Sequence, residues 1–159
     1  MPSRRAAIQL TDDEVLALLD EQRTMICATN GRSGWPHLMP LWYVVRDGEV
    51  WAWTFAKSQK VKNLERDPRA TIQVETGETY DQLRGVMFEC ETAIHRDLET
   101  VRGVGMELAT RYGGTQGEPG PPSEEMRAAF EAQAAKRVAL HFREQSRATW
   151  DHRKLAGAY

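Results

Sequence analysis

Lys57-Ser58-Gln59-Lys60 stands where a strand over residues 50–55 gives way to a short helix, and Lys62 follows within the next turn. A helix N-terminus carries partial positive charge, so each lysine there is unfavourable by roughly a few tenths of a kcal/mol. The same helix start offers free backbone N–H groups, a hydroxyl and cationic side chains. Together these are the ingredients of an anion site, best matched to a phosphate. The competing reading is a solvated charged helix in which Ser58 is a plain N-cap. Lys62 reads as solvent-facing in either case.

A second stretch with chemical potential is Pro36-His37-Leu38-Met39-Pro40-Leu41-Trp42-Tyr43-Val44. Period-2 alternation puts His37, Met39, Leu41 and Tyr43 on one face and Leu38, Pro40, Trp42 and Val44 on the other. Both faces are apolar, whereas an antiparallel strand with one wet face alternates more cleanly. One face therefore packs a core, and the other meets a partner chain or a flat ligand; a strand buried on both sides is the alternative. Pro40 cannot donate to a ladder and belongs at an edge or bulge, which leaves the backbone around Met39 and Leu41 open to a ligand's polar edge.

Other constellations are missing. The histidines at 37, 95, 141 and 152 show no zinc-ligand spacing, so no metal site is expected. His141 reads as a surface or packing residue. No nucleophile elbow, phosphate loop or dinucleotide glycine fingerprint occurs. Glu75, Glu89 and Glu91 fit the outward faces of strands.

The elements that must position these residues follow from local signals. Thr11-Asp12-Asp13-Glu14 has capping-box spacing and opens a helix with Val15, Leu16, Leu18 and Leu19 as its apolar stripe. Strands are expected over residues 24–29, 35–45, 50–55, 70–75, 84–95 and 137–143. Asp47-Gly48 marks a tight hairpin. Asp67-Pro68 ends the lysine-rich helix. Helices are expected over 97–112 and 124–136, separated by a Gly/Pro-rich loop at 113–122 that is either disordered or a lid over the pocket. Hairpin-connected strands with late helices predict an α+β fold, mainly antiparallel, rather than a doubly wound parallel sheet.

The chain has 159 residues, 21 Lys+Arg against 23 Asp+Glu, and two cysteines. That length suits one domain spanning 1–159, with its core over about 10–145. The near-neutral charge argues against a nucleic-acid partner. Cys27 and Cys90 lie in apolar runs and read as buried thiols of a reducing compartment. No apolar run approaches the roughly 20 residues of a membrane span, and the basic N-terminus lacks a signal peptide's apolar segment. A cytoplasmic location is the expectation.

The order of elements, with Trp35 to Tyr43, Thr54, Ser58, Lys60, Asn63-Leu64-Glu65-Arg66-Asp67-Pro68-Arg69-Ala70 and Leu83-Arg84-Gly85-Val86, resembles the pyridoxamine 5′-phosphate oxidase-like split β-barrel family. It is most similar to the branch that uses the deazaflavin coenzyme F-420. The resemblance implies a six-stranded Greek-key split barrel with peripheral helices, and a homodimer with cofactor sites at its interface. It implies that Met39, Pro40, Leu41 and Trp42 border the deazaflavin ring and that Trp53, Thr54 and Phe55 run beside the cofactor. Ser58 and Lys60, with Lys57 nearby, would hold its phosphate, and Tyr80 would reach in from the other subunit. Tyr43 and Tyr80 are the residues expected to face substrate; no catalytic side chain is singled out. The implied activity is hydride transfer from the reduced coenzyme to an unsaturated or conjugated organic substrate. Several relatives carry arginine beside the phosphate lysine where this chain has Ser58-Gln59. FMN therefore stands as the alternative cofactor, in an oxidase or reductase, and coenzyme binding without turnover as a further alternative.

Overall fold

Thr11 closes the expected capping box in the computed structural model, which describes residues 3–113 and 118–156. Its hydroxyl accepts from the Glu14 N–H at 3.2 Å, and the Glu14 carboxylate accepts from the Thr11 N–H at 2.7 Å. A single turn, α1 (Arg4–Ala7), precedes it. The helix it starts, α2 (Asp12–Glu21), buries Val15, Leu18 and Leu19. At Asp47-Gly48 both residues have positive φ, 50° and 78°, the conformation a two-residue hairpin requires. This turn joins β3 (Val44–Arg46) to β4 (Glu49–Phe55).

The remaining strands are β1 (Met25–Asn30), β2 (Pro36–Leu41), β5 (Arg69–Thr76), β6 (Arg84–His95) and β7 (Arg137–Asp151). All pairings are antiparallel, in the order β2-β1-β5-β6-β7-β4-β3. The α+β class is as expected, but the sheet has seven strands rather than six. The strand expected over 35–45 is broken at Trp42 and Tyr43, which carry the chain from one edge of the sheet to the other. The cause is a tyrosine from far along the chain. The Tyr112 hydroxyl accepts from the Tyr43 N–H at 3.1 Å and lies 2.9 Å from the Tyr43 carbonyl. Backbone groups that a continuous strand would spend on a ladder are spent there instead.

The last strand also departs from expectation. It runs eight residues beyond Arg143, through polar sequence with little apolar alternation, because β6 supplies a full ladder as far as Arg84↔Asp151. A register shift opposite Glu89/Cys90 bends the pair.

Inward-facing residues of every strand, with α2 and α3 (Gln59–Arg66), form the main core; Cys27 and Cys90 are buried in it as free thiols. A second cluster lies outside the sheet, under α4 (Leu98–Tyr112) and α5 (Glu124–Ala134), where Val101, Val104 and Leu108 pack with Trp51 and Trp53. Gly105 permits this packing, since a Cβ there would lie 2.5 Å from the Trp53 ring. Among the described residues no helix is long and apolar enough to cross a membrane. Four residues of the Gly/Pro-rich loop, 114–117, lie outside the described residues, and with them the question of the loop's role.

Candidate functional site: a cleft at the split of the barrel

The β3–β4 register pairs Val44 with Trp51 and Arg46 with Glu49. Had that ladder continued past Val44, Trp42 would face Trp53 and Pro40 would face Phe55. It does not continue: β2 pairs only with β1, as an edge strand suited to Pro40. The missing rungs leave a cleft of about 560 Å³. Pro40, Leu41 and Trp42 line one side, and Trp53, Phe130 and Arg137 line the other. Four residues expected at a cofactor site, Pro40, Leu41, Trp42 and Trp53, are thus brought together. Phe55 joins them through Arg137, whose guanidinium carbon lies 4.1 Å from its ring centroid. Met39 is exposed on the same edge strand.

Helix α3 links β4 to β1, the neighbour of β2. Lys60 Nζ donates to Thr54 Oγ1 of β4 at 3.1 Å, and Asn63 Nδ2 donates to Thr29 Oγ1 of β1 at 3.0 Å. Lys60 is only 8% exposed. Among the described residues its one hydrogen bond goes to a neutral hydroxyl, and it forms no ion pair. An ammonium has three donors, so two are unspent. Burial pushes the Lys60 pKa below its usual value, and the nearby Arg137 charge acts in the same direction. Ser58 is the N-cap residue, yet its side chain makes no capping bond and its Oγ is buried without a partner. Ser58 thus stands at the expected N-cap position without the side-chain bond of a cap. Lys57 and Lys62 are both exposed.

Two expected residues do not join this cluster. Tyr43 is fully buried, with its hydroxyl 2.6 Å from the Leu19 carbonyl and 2.9 Å from that of Gln22. It faces the core rather than a substrate, and burial pushes its pKa up to about 12. Tyr80 is exposed on a short 3-10 turn, Tyr80–Gln82, with its ring 4.6 Å from that of His152.

Sequence reasoning missed three groups. Arg137 Nε, Gln133 Oε1 and His37 Nδ1 are buried with no partner. Arg137 and Gln133 line the cleft. Only the position of Arg137 at the start of an alternating strand hinted at it; its pairing with the cleft depends on tertiary structure. Among the described residues the cleft lining contains no carboxylate, histidine or cysteine. Among the described residues no group of three or more His, Cys, Asp or Glu could hold a metal ion.

A family model described as pyridoxamine 5′-phosphate oxidase matches residues 11–141. The chain belongs to the pyridoxamine 5′-phosphate oxidase-like split-barrel family. Among solved structures of this family's fold, a conserved hypothetical protein from Mycobacterium tuberculosis is 39% identical, with a TM-score of 0.86. That match covers 98% of this chain and 93% of the other. An F-420 reductase matches at 20% identity and a TM-score of 0.62, over 82% of this chain and 93% of its own. The haem storage protein HutZ of Vibrio cholerae matches at 18% and 0.65, over 85% and 91%. The last two likenesses are likenesses of fold. No curated protein matches the chain. The same fold thus occurs in proteins with different printed roles, and family membership alone sets neither cofactor nor reaction for this chain.

Proposed function

We propose that the protein holds a phosphate-bearing flavin-type cofactor across the split and serves an oxidoreductase acting on a small unsaturated organic molecule. The observation that carries this reading is Lys60: a buried ammonium without a carboxylate, beside the orphaned Ser58 hydroxyl and the free N–H groups of the α3 start. A buried unpaired charge is costly, and a phosphate would repay that cost with charge-assisted hydrogen bonds. The reading is the same for FMN and for coenzyme F-420, since it concerns the phosphate end. The family match favours FMN, and the motif likeness described above favours F-420.

When bound, the cofactor supplies the hydride chemistry. The chain's own residues bind, orient and exclude water. Lys60, Ser58 and the α3 N–H groups hold the phosphate, with exposed Lys57 as a secondary contact. The edge backbone from Met39 to Trp42 borders the ring, Trp53 with Thr54 and Phe55 flanks it, and Leu41 and Phe130 keep the cleft dry. A lining without acid or base residues suits hydride transfer completed by a solvent proton. It equally suits a binding module without turnover, which is the second reading.

Titrating the full chain with FMN and separately with F-420, while following tryptophan fluorescence, tests the cofactor. Quenching at micromolar ligand is expected for one of them, and no quenching by either removes the reading. Turnover is tested by whether the bound, reduced cofactor is reoxidised by conjugated acceptors.

The oligomer belongs to the same proposal. Leu38 (58% exposed), Met39, Ile26 and Trp35 (79% exposed) are exposed on or beside the β1–β2 edge. Large apolar residues in that density are typical of an interface. A homodimer on this face would let Tyr80 of one subunit approach the cleft of the other. Sedimentation should show a dimer, and Leu38→Asp should yield monomers.

A further inference from the structure

Arg137 is the first residue of β7, and its guanidinium carbon lies 4.6 Å from the centroid of Trp53 and 4.1 Å from that of Phe55. Cation–π contacts of this kind use the faces of the rings and leave the in-plane N–H donors of the guanidinium unspent. Among the described residues the Arg137 side chain forms no hydrogen bond and no ion pair, and its Nε is buried with no partner. Gln133, the penultimate residue of α5, lines the same cleft with its side-chain Oε1 position also buried and unpartnered. Oxygen and nitrogen of such an amide exchange by a half-turn about its terminal bond, so this position can equally present a donor.

Two residues with unspent polar groups thus line a cleft that, among the described residues, is lined by no carboxylate. Buried charges are ordinarily paired, and the fork of a guanidinium matches the two oxygens of a carboxylate. The walls define the rest of the ligand. Trp53 and Phe130 are stacked, with centroids 5.2 Å apart, and Trp42 lies against Tyr112 at 4.5 Å. Flat aromatic walls accept a flat, conjugated body. The phosphate site proposed above, at Ser58 and Lys60, is formed by residues that do not line this cleft.

We propose that Arg137 and Gln133 form a carboxylate-recognition subsite, which selects flat conjugated carboxylic acids as the molecules admitted to the cleft. As a statement about substrate it rests on the cofactor reading above, but binding of the acid can be measured without any cofactor.

The probes are trans-cinnamate and its neutral counterpart cinnamamide, alike in shape and different in charge, titrated calorimetrically into the full chain with and without FMN. Cinnamate should bind at least ten-fold more tightly than cinnamamide. Arg137→Gln should abolish that preference, Arg137→Lys should keep part of it, and Gln133→Leu should reduce it a few-fold. Thermal melts of each variant establish that it is folded; should Arg137→Gln fail to fold, Arg137→Lys and Gln133→Leu carry the test. Lys62→Ala, at an exposed lysine outside the cleft lining, should leave the preference intact. Equal affinity for acid and amide, binding of neither, or a preference unchanged in the folded Arg137 and Gln133 variants overturns the subsite. If neither FMN nor F-420 binds while the cinnamate preference persists, the cofactor reading fails and the subsite stands.

Discussion

Arg111 and Arg137 are both partly buried, both stack on aromatic rings, and live in opposite circumstances. Arg111 lies 4.5 Å from the Tyr43 ring centroid, and its Nη2 donates to the carbonyls of Leu19 at 2.6 Å and Gln22 at 2.8 Å. Its Nη1 reaches the Tyr43 carbonyl at 3.2 Å. These carbonyls belong to the end of α2 and to the break after β2, groups that secondary structure leaves without donors. A cation at a helix C-terminus is also favoured by the helix dipole. Arg137 has comparable ring contacts and none of the hydrogen bonds. The same side chain is spent on the fold in one region and held in reserve in the other, and the reserve lies in the cleft. Lys60 sides with Arg137.

Substitutions sharpen the contrast. The largest loss is expected for Arg111→Met, which strips donors from several part-buried carbonyls. Hydrogen bonds from a charged donor contribute about 1.5–3 kcal/mol each, and the Tyr43 and Tyr112 hydroxyls still serve part of these carbonyls, so urea denaturation should show a loss of about 3 kcal/mol. Wild-type stability in that variant would place Arg111 with Arg137 and erase the distinction.

Lys60→Met should show the opposite pattern. Cofactor affinity should fall ten-fold or more, about 1.4 kcal/mol, while the ligand-free melting temperature holds or rises. The pH dependence has a definite sign. Burial lowers the Lys60 pKa in the folded state relative to its ordinary 10.5, so the unfolded chain binds more protons between the two values. Ligand-free wild-type stability should therefore gain from this group as pH rises through that window. Lys60→Met should remove the gain, as paired urea titrations across the window would show.

Tyr43→Phe removes one hydroxyl from the satisfied region. A loss of about 1 kcal/mol is expected, because the Leu19 and Gln22 carbonyls keep Arg111 as a donor. The smallest effect should be that of Arg137→Leu on stability, within about 1 kcal/mol, since only cation–π contacts are lost. A large loss there would mean that the guanidinium is structural after all.

The sequence was most legible where the determinants are local. The capping box at Thr11 and Glu14, the Asp47-Gly48 turn and the edge position of Pro40 each depend on residues within a few positions of one another. The start of the short helix at Lys57 to Lys60 was visible for the same reason. The break at Trp42 and Tyr43 was not, because its cause is a hydroxyl 69 residues away. Nor was the outer half of β7, whose polar residues are strand only because β6 offers a ladder. Arg137 and Gln133 gain their meaning from β2 and β4 across a gap, and no spacing along the chain encodes a gap. Tyr43 misled for a related reason: alternation placed it on a face with His37 and Met39, but its ring turns into the core once the strand ends before it.

That two-residue break has a consequence for how the molecule is built. β2 and β3 are the outermost strands of the sheet, as far apart in pairing order as seven strands allow, yet they are joined by Trp42 and Tyr43 alone. In a closed barrel the first and last strands are fastened by hydrogen bonds; here a covalent tether does that work, and a tether so short costs little closure entropy. A circular permutant opened between Trp42 and Tyr43 would keep every rung of every ladder and lose this fastening. It would present two free strand edges to its neighbours, the arrangement from which chains most readily aggregate.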